Sequence, residues 1–114
     1  MSLAEAVSDS LAQASGTIAA TILVPAEPGR AGETVERLRA AQGAMVLLLI
    51  ESPISPLDRA MLIAAIGPLA IERAPHGRIG ALDVAPGAAP EDVVAAARFL
   101  AAAGSTTGQV LKIS

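Results

Sequence analysis

Residues Ala44 to Ile50 read AMVLLLI, an unbroken apolar run between Gly43 and Glu51. Successive side chains of a strand point to opposite faces of its sheet, so a strand apolar at every position needs cover on both. The run predicts a central strand of a parallel sheet lying beneath two layers. It is also far shorter than the roughly 18 residues needed to cross a bilayer. The expected fold class is therefore α/β.

The rest of the chain supplies partners for that strand by alternation of apolar runs with helical patterns, the signature of a parallel α/β sheet. Ser2 to Ala14 has helical spacing and precedes a first strand predicted over Thr17 to Val24. A loop follows at Ala26-Glu27-Pro28-Gly29-Arg30. Gly32 to Gln42 reads as a helix carrying Glu33, Glu36, Arg37 and Arg39, closed by Gly43 as a residue tolerant of positive φ. After the loop Ser52-Pro53-Ile54-Ser55-Pro56, a long helix is predicted over Leu57 to Arg73. Gly67-Pro68 should remove one of its backbone hydrogen bonds and bend it. A third strand is expected over Ile79 to Ala85 with Asp83 inside it. Pro90-Glu91-Asp92 opens a helix reaching about Ala103, since Pro and acids favour a first turn. A turn, Gly104-Ser105-Thr106-Thr107-Gly108, leads to a last strand over Gln109 to Ile113. The expectation is one domain over residues 1–114, with about four parallel strands in sequence order.

Composition narrows the function classes. Hydrophobic residues make up 53% of the chain, yet Phe99 is the only aromatic, so the core must be filled by small aliphatic groups. A net charge of −3, with seven Arg scattered between Arg30 and Arg98 and one Lys, Lys112, offers no basic footprint for nucleic acid. Without Cys there are no disulfides, thiolate nucleophiles or zinc-finger ligands. Glu5 and Asp9 stand where a secretory signal would carry cations, so no membrane partner and a cytoplasmic location are expected. Ala60 to Ile66 leaves no polar stripe on its helix, and a helix apolar all round must be covered on both sides. Either another subunit covers the side away from the sheet, or the N-terminal segment folds over it.

Three stretches carry a resemblance. They are Ala74-Pro75-His76-Gly77 with a strand ending in Pro86-Gly87, then Pro90-Glu91-Asp92-Val93 with Ala97-Arg98-Phe99-Leu100, then Thr107-Gly108-Gln109-Val110-Leu111. In order and spacing they resemble the C-terminal part of the short-chain dehydrogenase/reductase family, from Pro56 to Ile113, with a weaker extension back to Thr17. The resemblance implies a Rossmann-like three-layer fold and strands four to seven of the family's sheet. Its catalytic Tyr-x-x-x-Lys pair would fall at Ser55 and Arg59, its catalytic Ser at Ser52, and its Asn has no counterpart around Val24-Pro25-Ala26-Glu27. Ser55 holds its proton too tightly to replace a phenol, and Arg59 keeps the positive charge but cannot release a proton. The family's Gly-rich pyrophosphate turn would follow a strand; only one helix precedes Thr17, and the glycines elsewhere lack that spacing. Pro86 and Gly87 are the residual cofactor-binding positions, at the nicotinamide end. No cofactor is therefore expected.

Other candidates have plainer roles. His76 is expected on an exposed turn, Asp58 at a helix start beside Arg59, and Glu91-Asp92 in a first turn. Glu51 and Asp58 flank Ser52 and Ser55, but no base completes a nucleophilic triad. Asp83 within a strand needs a partner, with Arg78 or Arg59 available. Glu27, Glu51 and Asp83 near the carboxyl ends of strands make a carboxylate-only metal site conceivable, though no metal is expected. The reading these residues favour is a degenerate, non-catalytic relative acting through association. That would be a homodimer through helices 32–42 and 57–73, as the family pairs its corresponding helices, or a complex with a full-length relative. The alternative is an NAD(P)-dependent oxidoreductase, or part of one, whose partner supplies the nucleotide site. A third option is another small ligand near Glu27, Ser52 and Pro86.

Overall fold

The computed structural model describes residues 2–14, 16–18, 20–104 and 107–114. Its elements are α1 (Leu3–Gln13), a 3-10 turn (Gly16–Ile18), β1 (Thr21–Pro25), α2 (Ala31–Ala40) and β2 (Met45–Ile50). These are followed by α3 (Pro56–Arg73), β3 (Arg78–Val84), α4 (Pro90–Ala102) and β4 (Gln109–Ile113). The four strands form one parallel sheet in the order β1-β2-β3-β4, a Rossmann-like α/β arrangement.

All six residues of β2 are buried, which is why the AMVLLLI run tolerates no polar residue. Val46, Leu48 and Ile50 meet Leu38 of α2 and Leu62, Ile66 and Leu69 of α3 on one face. Met45, Leu47 and Leu49 meet Val7 and Leu11 of α1 and Val93, Ala97 and Leu100 of α4 on the other. α1 therefore lies across the sheet from α3, and the option that the N-terminal segment covers α3 is overturned. The reason lies in its own stripe: Val7 and Leu11, four residues apart, fit beside α4 and β1.

α2 and α3 share one face while α4 sits on the other, although each connection steps the same way across the sheet. The third crossover thus has the opposite hand to the first two, and at least one of them departs from the nearly universal right-handed form.

Two local expectations are corrected, and the expected long helix α3 is kept. The first strand starts at Thr21 rather than Thr17, because its ladder begins with Thr21 opposite Met45, the first residue of β2. Residues 16–18 coil into a 3-10 turn instead; Ala19, within the predicted strand, lies outside the described residues. α3 runs on through Gly67-Pro68 as one helix. Ala64, whose carbonyl loses its partner at Pro68, is exposed, as is Pro68, so water can satisfy that carbonyl. Gly43 does not supply a left-handed cap: the left-handed glycines are Gly16, Gly29, Gly87 and Gly108, and α2 closes on extended Ala41. Of the turn before β4, Ser105 and Thr106 lie outside the described residues.

Gly43 is required for space. A Cβ there would lie 2.8 Å from Ile22 Cγ1. Gly43→Ala is expected to cost about 1–2 kcal/mol by overpacking. In urea unfolding the Ile22→Ala background, which removes that Cγ1, should absorb most of the loss. An equal loss in both backgrounds would contradict the steric explanation.

Two arginines close helix ends at the amino edge of the sheet. Arg73 donates to the carbonyls of Leu38, Ala41 and Gly43 at 3.3, 3.0 and 3.1 Å, tying α3 to the end of α2. Arg78 does the same for α4, donating to Leu100, Ala101 and Ala103. Carbonyls in the last turn of a helix have no partner within it, so a guanidinium is a suitable donor. No helix among the described residues is long and apolar enough to cross a membrane.

Candidate functional site

The opposite, carboxyl edge of the sheet holds the candidate site. β2 ends at Ile50, the chain turns through Ser52, Pro53 and Ile54, and Ser55 starts α3 by accepting a hydrogen bond from the Asp58 N–H at 3.2 Å. One turn into α3, Arg59 reaches down to β3 and pairs with Asp83 through Nη1. Asp83 is a 7% exposed carboxylate in a strand that is otherwise apolar beyond Arg78. It is placed there by period two: Ile79, Ala81 and Asp83 share the face that carries α3.

Strand register adds a residue that the sequence pattern did not expose. Ile50 pairs with Asp83, and Asp83 pairs with Lys112 of β4, so the three form one row across the sheet. Directly paired residues of neighbouring strands point the same way. Lys112 therefore stands beside the Arg59–Asp83 pair. The three groups, with Ser52, Ile54, Ala85, Pro86 and Ser114, line a cavity of about 360 Å³. A second hollow of about 210 Å³ adjoins it and is lined by Glu51, Ser52, Pro86 and Gly87, among others. Gly87 there adopts φ 84°, which a side chain would strain.

The sequence candidates divide cleanly. Ser52, Arg59, Asp83 and Pro86 converge on the cavity, and Glu51 and Gly87 on its neighbour. Ser55 does not line either; its hydroxyl caps α3. Of the two cations considered for Asp83, Arg59 is the partner. Arg78 stands five residues back along β3, about 16 Å away at strand rise, and caps α4 instead. Glu27 lies outside the cavity and pairs with Arg37 at 3.4 Å. His76 is exposed at the amino edge near Arg73 and Gly77. Among the described residues no three of His, Cys, Asp and Glu are grouped to hold a metal ion.

A pyridine dinucleotide, which the resemblance brings with it, does not fit these residues. The cavity is at the small end of ligand pockets. In the β1–α2 loop the Gly29 N–H already donates to the Asp58 carboxylate at 3.2 Å. The nearby Arg30 and Arg37 are paired by Glu33 and Glu27.

A family model described as short chain dehydrogenase-like protein matches residues 21–113, which run from the first residue of β1 to the last of β4. The chain belongs to the short chain dehydrogenase-like family. No curated protein and no solved structure matches it significantly. Family membership gives the cavity its setting. The two positions that the resemblance assigned to proton transfer are Ser55, which caps the start of α3, and Arg59, which neutralises Asp83.

Proposed function

We propose that this short chain dehydrogenase-like unit works by association rather than by hydride transfer. The observation that carries the proposal is the outward side of α3. Leu57, Met61 and Ile71 are 71%, 50% and 78% exposed, and with Ala64 and Pro68 they follow one another at spacings of four and three residues. That is the interval of a helix–helix seam. The exposed side of the neighbouring α2 is charged, with Arg39 bonded to Glu36 and, across to α3, to Glu72 at 3.1 Å. The Glu72 carboxylate holds the Arg39 pKa above its ordinary value. An apolar seam rimmed by charge suits a specific protein contact better than open water.

A second copy is the partner proposed first, through α2 and α3 (residues 32–42 and 57–73); a full-length relative presenting the same helices is the other. Loss of the proton-transfer residues accompanies this reading, since Ser55 and Arg59 both have structural tasks. Titrating the chain with NADH and NADPH is expected to give no saturable change below about 100 μM. Saturation there, near −5.5 kcal/mol, would instead support an oxidoreductase whose nucleotide site is completed by a partner. That second reading is favoured by the left-handed Gly87 beside the cavity.

A further inference from the structure

We infer that the cavity at the carboxyl edge of β2, β3 and β4 is a binding site for a short-chain monocarboxylate. The first ground is charge. Arg59 and Lys112 bring two positive charges to the cavity and Asp83 one negative, leaving one positive side-chain charge uncompensated. Arg59 donates to Asp83 through Nη1 and makes no other hydrogen bond among the described residues, so the rest of its fork is open. Lys112 has no hydrogen bond or ion pair among the described residues, and the Ser52 hydroxyl has none either. No carboxylate besides Asp83 lies within ion-pair distance of either cation.

The second ground is shape and chemistry together. Ile54, Ala85 and Pro86 make one part of the lining apolar, while the open donors gather on the other. A guanidinium fork and an ammonium are matched by the two oxygens of a carboxylate. The apolar part suits a short alkyl body and would reject a wholly polar anion. Among the lining side chains Asp83 is the one anion, so a monoanion balances them, whereas a phosphate dianion brings its second negative charge against that carboxylate. A cation is opposed by both Arg59 and Lys112. The volume, about 360 Å³, limits the ligand to a small molecule.

The inference goes beyond association and does not depend on it, because Leu57, Met61 and Ile71 do not line the cavity. The test is an amide NMR titration of the chain with butyrate, with butyramide and inorganic phosphate as separate arms. Butyrate should shift the Ser52, Asp83 and Lys112 amides saturably, with Kd below about 10 mM. Butyramide and phosphate should each bind at least about tenfold more weakly, the loss of one charge-assisted contact. Lys112→Met keeps the alkyl stem on an exposed strand position and should cost butyrate at least about tenfold, while Lys112→Arg should stay within about threefold. Overlay of the remaining amides checks that Lys112→Met stays folded. The inference is overturned by no saturation with butyrate, by phosphate or butyramide binding as well, or by unchanged affinity in Lys112→Met.

Discussion

Arg59→Leu is expected to destabilise the chain by about 2 kcal/mol, below the about 3–5 kcal/mol usual for leaving one fully buried charge without its partner. Asp83, 7% exposed, would then keep only Lys112 of the neighbouring strand beside it, with which it makes no ion pair. The Arg59 and Asp83 side chains are 21% and 10% exposed, so some solvent screening keeps the loss below that usual range. Asp83→Leu alone should cost a similar amount by stranding Arg59. The double variant Arg59→Leu/Asp83→Leu should lie within about 1 kcal/mol of the parent, because an apolar pair often replaces a buried ion pair without loss. Urea unfolding of all four proteins completes the cycle, and a coupling of about 3 kcal/mol or more is the expected result. Additive losses from the two single variants would mean that the pair is an incidental contact.

That pair also marks where the sequence was legible and where it was not. An Asp inside an apolar strand demands a partner on chemical grounds alone, so the need was visible. The choice between Arg59 and Arg78 was not, because it depends on which end of β3 each residue reaches. Lys112 escaped notice because its neighbourhood is set by register between β3 and β4, 29 residues apart in the chain at the Asp83–Lys112 pair. β2, α4 and β4 were readable because continuous apolar runs and a Pro-Glu-Asp start admit few alternatives. The start of β1 was not, because a strand extends only as far as its neighbour, and Met45 sets that limit. Periodicity announced α1 without saying which face of the sheet it would cover. Gly43 was read as a helix stop when its actual constraint is a side chain from another strand, Ile22. The helix-closing tasks of Arg73 and Arg78 were not legible, because carbonyl acceptors leave no trace in a sequence.

Met61→Glu/Ile71→Glu is expected to abolish the proposed association while leaving the fold intact. Both side chains are at least half exposed, so neither substitution opens a cavity in the core. Covering an apolar side chain of this kind is worth about 1.5–3 kcal/mol. Losing two, and placing carboxylates in the seam, should raise the dimer Kd by more than about 100-fold. Thermal unfolding at a concentration where both proteins are monomeric should differ by less than about 1 kcal/mol, as for other surface substitutions. A control at Glu33→Gln, on the charged side of α2, should change Kd by no more than about threefold, since an exposed ion pair contributes little. If the paired Glu substitutions unfolded the chain, their positions would belong to the core rather than to an outward seam. If they left Kd unchanged, the seam would not be the contact.

The most direct measurement is sedimentation equilibrium of the isolated chain across the micromolar range, with the Met61→Glu/Ile71→Glu variant beside it. A mass approaching two chains for the parent and one chain for the variant is the predicted result. A parent that stays at one chain mass throughout would contradict self-association through α3.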